Sequence, residues 1–246
     1  MSWISATLSK AGNGPEENED AIAASPTKAR FAVADGATEG WESAKWAGHI
    51  ATAYIEKPPS PANFDAWLAD VRKGWKIPPQ AVTAPWYAEM KQEAGSYSTL
   101  LGIEFRIAAD SHSWTWKAIA IGDSCLFQIR AGRVNGVYPI STPAGFGNNP
   151  PLLPSPETSV CPEPEWLAGR SEPKDLFILA TDAVAAYLVG RKKPDSWSPV
   201  LLAVQEGLRH RTPEPLLKWF PTVQAVRNDD LSLVAVLIPA VPEATA

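Results

Sequence analysis

The succession of apolar patterns along this 246-residue chain predicts an α+β fold built on antiparallel sheets. Three observations carry the prediction. One alternating run and two short apolar runs lie in the first 35 residues, helical periodicity follows, and four consecutive strand-like runs occupy the middle. The chain then closes on a buried-looking strand, helices and a last apolar strand.

Taken in order, Trp3 to Leu8 alternates and suits a strand. Asp20 to Ser25 and Arg30 to Ala34 are apolar runs separated by Ser-Pro-Thr-Lys, a turn signal. From Glu42 to Ile55, the residues Ala44, Ala47, His49, Ile50, Ala51 and Tyr54 follow i, i+3, i+4, i+7 spacing and predict an amphipathic helix. Phe64 to Trp75 repeats the pattern with Trp67, Leu68 and Val71, and Gln80 to Glu93 reads as a third helix interrupted near Pro85. Ser98 to Ala108, Trp114 to Ile121, Ser124 to Arg130 and Arg133 to Tyr138 read as an antiparallel meander. Pro139 to Pro173 reads as one long proline-rich loop, of the kind that is usually functional. After it come a strand from Asp175 to Thr181, a helix from about Asp182, a helix from Ser196 to Arg209, a shorter one before Val226, and a strand from Leu231 to Ile238. No shift in composition marks a boundary, so residues 1–246 read as one domain.

Composition excludes several function classes. Against 22 Lys and Arg stand 27 Asp and Glu, a formal charge of −5, and no basic run stands out, so no nucleic-acid partner is expected. The apolar stretch Leu233 to Val241 falls far short of the roughly 20 residues of a membrane span, and no leader pattern opens the chain, so a cytoplasmic protein without a membrane partner is expected. Two cysteines, Cys125 and Cys161, make neither a disulfide framework nor a four-cysteine zinc site. The 11 tryptophans are scattered as packing residues are.

The chemistry lies in a repeated pattern: an apolar strand that stops at an acid. Phe31-Ala-Val-Ala-Asp35-Gly36, Ile119-Ala-Ile-Gly-Asp123-Ser124 and Leu176-Phe-Ile-Leu-Ala-Thr-Asp182 share it, Asp229-Asp230 opens the last strand, and Glu19-Asp20 adjoins a short one. One such aspartate alone reads as a helix cap or turn residue. Together, if the ends converge, four or five carboxylates share one pocket. Two unit charges about 4 Å apart repel by about 4 kcal/mol at an effective dielectric of 20, so the cluster needs cations or protons. Oxygen donors without Cys or His favour hard ions, Mg²⁺ or Mn²⁺. Two such ions can share a water, lower its pKa and aim it at a phosphorus.

Other sites fit poorly. Four residues separate Cys125 from Arg130, one fewer than a cysteine phosphate loop needs, and Cys125 lies in a strand. Gly-x-Ser-x-Gly and P-loop patterns are missing, and His49, His112 and His210 lack metal-ligand spacing. His49 reads as a packing residue of the first helix.

In order and spacing, these landmarks resemble the type-2C metal-dependent serine/threonine protein phosphatases, in a divergent bacterial form. The residues that carry the resemblance are Asn18-Glu19-Asp20-Ala21, Val33-Ala34-Asp35-Gly36, Gly95-Ser96 through Thr99-Leu100, Ile121-Gly122-Asp123-Ser124, Ile178-Leu179-Ala180-Thr181-Asp182 and Asn228-Asp229-Asp230-Leu231-Ser232. The resemblance implies a four-layer α-β-β-α sandwich, two antiparallel sheets flanked by helices, with metals at one edge. It implies that Asp35 bridges two ions, that the Gly36 carbonyl binds one, that Asp182 and Asp229 complete the first ion's shell, and that Glu19 and Asp20 hold coordinated waters. Asp123, with Asp182, matches a third ion's place. The stretch from Pro139 matches a variable flap beside the substrate. Asp35, Asp182 and Asp229 are thus the expected catalytic residues. The family's phosphate-gripping arginine has its place at Pro15, where Lys10 and Lys28 are the candidate substitutes. Ala37-Thr38-Glu39-Gly40 supplies no histidine after the second landmark, Ala183 stands for a glycine, and Cys125 stands for an arginine.

The expected function is hydrolysis of phosphoserine or phosphothreonine with two Mg²⁺ or Mn²⁺ ions, a phosphoprotein as substrate and a cognate kinase as partner. Two alternatives stay open: a catalytically weak or inactive module that binds a kinase or phosphoprotein, and a small-molecule phosphohydrolase on the same scaffold.

Overall fold

A computed structural model describes residues 1–76, 93–108, 113–147, 149–191 and 194–241. Twelve strands and five helices follow in order among them: β1 (Ser2–Leu8), β2 (Asp20–Ser25), β3 (Arg30–Asp35), α1 (Ser43–Glu56), α2 (Phe64–Gly74), β4 (Tyr97–Ser98), β5 (Leu100–Ile107), β6 (Trp114–Ile121), β7 (Cys125–Arg130), β8 (Arg133–Tyr138), β9 (Leu153–Pro154), β10 (Glu165–Ser171), β11 (Leu176–Ala180), α3 (Asp182–Val189), α4 (Ser198–His210), α5 (Glu214–Gln224) and β12 (Leu231–Leu237).

Two five-stranded antiparallel sheets run in the orders β1-β12-β11-β7-β8 and β10-β6-β5-β3-β2, and β4 pairs separately with β9. Period-two alternation decides which face each residue takes. Phe31, Val33, Leu101, Ile103, Phe105 and Trp116 of one sheet meet Leu126, Phe177, Leu179, Val234 and Val236 of the other. Phe105 and Phe177 make an edge-on contact in this layer, 5.0 Å between centroids. The opposite face of β3 carries Ala32 and Ala34, small enough for α1 to settle its Trp46, Ala47, Ile50 and Ala51 stripe against them, with α2 alongside. On the far side, Phe127, Ile178, Leu233 and Ala235 pack against α3, α4 and α5 through Val184, Val204, Leu216 and Phe220. The layers are therefore α-β-β-α. No helix among the described residues is long and apolar enough to cross a membrane.

Three details differ from the sequence expectation. The expected meander is two hairpins, β5-β6 and β7-β8, in opposite sheets. Gly122, at φ +99°, turns the chain from one sheet to the other, and a Cβ there would sit 2.5 Å from the Thr99 methyl group. The run from Ser98 to Ala108 is interrupted at Thr99: its N–H still bonds to the Asp35 carbonyl in the β3–β5 register, but Ser98 belongs to β4 and pairs with Leu153 of β9. The stretch from Pro139 to Pro173 holds β9 and the edge strand β10, which pairs Trp166 with Ile119 of β6. The third helix expected over Gln80 to Glu93 lies almost wholly outside the described residues.

Candidate metal centre

The acids converge because five strand ends meet at one rim of the sandwich. Asp20 begins β2 and Asp35 ends β3, and the two are direct cross-strand partners. Asp123 lies in the turn between β6 and β7, Asp182 begins α3 just after β11, and Asp229 precedes β12. Like charges directly opposite one another destabilise a ladder, so this arrangement works against the fold unless something offsets it.

Asp35, Asp123 and Asp182 each offer a carboxylate oxygen, and these oxygens all lie within 4.8 Å of one another. Backbone contacts aim Asp35. Its N–H donates to Thr99 Oγ1 at 2.9 Å, and its carbonyl accepts the Ser98 hydroxyl at 2.8 Å. Thr99 Oγ1 also lies 3.1 Å from the Ser124 hydroxyl, which ties the β3 end to the turn carrying Asp123. The Ser98-Thr99 landmark is thus a clamp on Asp35. Gly36 is required next to it: a Cβ there would sit 2.6 Å from the Ser43 backbone, where α1 begins. Asp20 accepts the Thr181 hydroxyl at 2.8 Å, and Thr181 in turn accepts the Ser232 N–H at 3.0 Å.

Burial and mutual repulsion raise the proton affinity of the group. Burial, then the charge of Asp182, pushes the Asp123 carboxyl up to about 6, and its Oδ1 is buried without a hydrogen-bond partner. Burial first, and then Asp20, Asp182, Asp123 and Asp229, hold Asp35 well above the usual carboxylate range. Asp20 is raised well above it by burial, against hydrogen bonds from Thr181 and Ser232. Asp182 is raised by burial, with Arg227 opposing.

The remaining expected residues stand apart from the trio. Asp229 Oδ1 accepts the Asp230 N–H at 3.0 Å, and its Oδ2 lies 3.2 Å from Arg227 Nη2. Glu19 turns away: Thr38 donates its hydroxyl to Glu19, and Lys10 Nζ lies 3.7 Å from it. Successive side chains along an extended segment point in opposite directions, so Asp20 faces the trio and Glu19 faces Thr38. Asp230 is a clasp, its two oxygens accepting the N–H groups of Lys10 and Glu19 at 2.8 Å each.

Pro15 begins an exposed 3₁₀ turn, Pro15–Glu17. Of its candidate substitutes, Lys10 is engaged by Glu19, and Lys28 lies at the β2–β3 turn, the opposite end of the hairpin from Asp20 and Asp35. The residue that sequence reasoning missed is Arg227, whose Nη2 contacts both Asp182 Oδ2 and Asp229 Oδ2. Its one sequence signal is a position two residues before the acid pair Asp229-Asp230. Cys125 is buried in β7 with its thiol pushed up to about 12, mainly by burial, so it is no nucleophile. His49 stacks on Trp46 and bonds the Val71 carbonyl across α1 and α2, the packing role expected.

The donor set suits a hard divalent ion. It is all oxygen, Asp123 and Asp182 are buried and Asp35 is half-buried, and the orphaned Asp123 Oδ1 is an acceptor that nothing in the described protein satisfies.

No protein-family model matches the chain, and no curated protein matches it. Solved structures do. The serine/threonine phosphatase PstP/Ppp of Mycobacterium tuberculosis is 18% identical over 97% of this chain and 100% of its own, with a TM-score of 0.60. The PPM Ser-Thr phosphatase MsPP of Mycobacterium smegmatis, in complex with cacodylate, is 15% identical over 97% and 98%, at 0.59. The catalytic domain of PstP in complex with two manganese ions is 18% identical over 96% and 99%, at 0.58. The chain has the fold of the PPM serine/threonine phosphatases, the fold that its sequence landmarks resemble.

Proposed function

We propose that this chain is a divalent-metal-dependent phosphatase that hydrolyses phosphoserine or phosphothreonine in a protein substrate. The observation that carries the reading is the trio Asp35, Asp123 and Asp182, whose oxygens lie within 4.8 Å of one another at a repulsive cost that cations or protons must offset. The likeness in fold to a phosphatase holding two manganese ions supports it.

In this reading Asp35, the Gly36 carbonyl, Asp182 and Asp229 hold Mg²⁺ or Mn²⁺, with Asp123 available to a further ion and Asp20 and Glu19 farther out. Such ions lower the pKa of water to supply the nucleophile and neutralise charge on the phosphoryl oxygens. The chain's own part is positioning. Ser98 and Thr99 fix the Asp35 backbone so that its carboxylate stays at the rim. Thr181 holds Asp20 beside Asp35, and the Asp230 clasp keeps the approach to β2 against the start of β12. A cognate kinase as partner belongs to the same proposal.

A second reading, a phosphatase-like module that binds a phosphoprotein or kinase without turnover, has Pro15 in its favour, because that exposed turn carries no guanidinium for a phosphate. The test is phosphate release from a phosphothreonine peptide with and without Mn²⁺, alongside Asp35→Asn and a nucleotide substrate. Mn²⁺-dependent release from the peptide, lost in the variant, supports the phosphatase. Metal binding with no release from any substrate favours the binding module. Release from the nucleotide alone assigns a small-molecule phosphohydrolase.

A further inference from the structure

Arg227 lies between α5 and β12 and reaches into the acidic rim. A single nitrogen, Nη2, touches one oxygen of Asp182 and, at 3.2 Å, one oxygen of Asp229. The two carboxylates flank neighbouring strands: Asp182 follows β11, Asp229 leads into β12, and the β11–β12 ladder brings the two chain segments together. The guanidinium is what links their side chains. Its side chain is 44% exposed, whereas the Asp182 side chain is 10% exposed, so the arginine reaches inward from solvent to a buried acid.

Asp182 and Asp229 are also two of the acids proposed to hold a divalent ion, and the role of Arg227 is inferred on that reading. A hard cation needs their oxygens at roughly 2.0–2.6 Å. A guanidinium nitrogen in contact with Oδ2 of both acids occupies the space between them, takes lone pairs an ion there would use and repels the incoming charge. Arginine and metal therefore compete. The route out is open, because a half-exposed arginine can swing into water without leaving a cavity in the core.

We propose that Arg227 is the resident counter-ion of the centre. In the metal-free chain it holds Asp182 and Asp229 together and offsets their repulsion, and it must leave for a divalent ion to bind both. It is a positioning residue that sets metal affinity. A structural tie makes the opposite prediction, since its removal would loosen the acids and weaken metal binding.

The experiment measures Mn²⁺ affinity by calorimetry, and metal-free melting temperature, for wild type, Arg227→Gln and Arg227→Lys. The expected result is about tenfold tighter Mn²⁺ binding in Arg227→Gln, equivalent to about 1.4 kcal/mol, together with a lower metal-free melting temperature. Arg227→Lys, which keeps a charge without the planar fork, falls between. Affinity in Arg227→Gln within twofold of wild type, or weaker, overturns the inference. Absence of Mn²⁺ binding in wild type and variants alike overturns the metal reading itself, and the inference with it. Should Arg227→Gln not fold without metal, the wild-type protein decides: the Arg227 Nε–H resonance moves to the position of a solvated arginine on Mg²⁺ addition, and a resonance that stays in place overturns the proposal.

Discussion

Replacing Asp123 by asparagine should make the metal-free protein more stable, and only above a defined pH. Asp123 is 3% exposed, and its Oδ1 has no partner. Its carboxyl ionises at about 6 in the fold and at 3.8 in an unfolded chain. The folded state binds that proton more tightly, so ionisation penalises folding. The penalty is absent below 3.8, grows between there and about 6, and is complete above. The gap is worth about 3 kcal/mol at 1.36 kcal/mol per pH unit. Asn keeps the shape and carries no charge, so Asp123→Asn recovers up to about 3 kcal/mol at pH 7.5 and close to nothing at pH 4. For a chain of this size that is about 6–12 °C in melting temperature. Thermal unfolding in EDTA, at several pH values, measures it. The same variant should bind Mn²⁺ more weakly, the exchange of stability for function expected of a strained site. A variant no more stable than wild type at pH 7.5, or a gain equal at both pH values, would refute the assignment of Asp123 as a strained carboxylate.

Two further outcomes test the architecture, one beside the site and one at the other end of β11. Gly36→Ala drives a Cβ to 2.6 Å from the Ser43 backbone. It should cost about 1–3 kcal/mol of overpacking in urea unfolding and weaken Mn²⁺ binding by displacing α1 from the rim. Away from the rim, burial pushes the Asp175 carboxyl up, but hydrogen bonds from Arg130, the Glu172 N–H and Gln128 outweigh it and hold it below the usual range. Arg130→Ala should cost about 2–3 kcal/mol at pH 7 by stranding a buried charge. That difference should shrink as pH falls through the folded value of Asp175, where the carboxylate's contribution is lost.

The sequence made the acids legible and hid what handles them. Asp35 ends an apolar strand, and Asp123 and Asp182 each follow one after a single intervening residue, so the strand pattern ends where the chemistry starts. Strand ends in a sandwich meet at a rim, which makes convergence a physical expectation. Arg227 carries no such mark. It lies on a short connection without periodicity, and one of its partners, Asp182, is 45 residues earlier in the chain. Glu19 and Asp20 read as a pair, but adjacent residues on extended backbone face opposite ways, and only Asp20 turns to the trio. β10 was hidden for a different reason. An edge strand pairs on one side only, so Glu165–Ser171 needs little apolar content, and Pro162, Pro164 and Pro173 bracket it like a loop. The Ser98-Thr99 clamp was visible as a landmark, but its two hydroxyls work on the backbone of Asp35, 63 and 64 residues earlier, a partner that local patterning does not reveal.

The Asp230 clasp bears on when the centre can exist during synthesis. Its bonds to Lys10 and Glu19 span 220 and 211 residues, and β1 finds its partner only in β12. A chain still on the ribosome, halted before residue 229, has both N–H groups without their acceptor, β1 without a ladder, and one acid of the rim missing. Pairings this distant in sequence form late. Most of the acids that repel one another are therefore made long before the strand that closes the rim, and the centre cannot assemble until that strand has been synthesised.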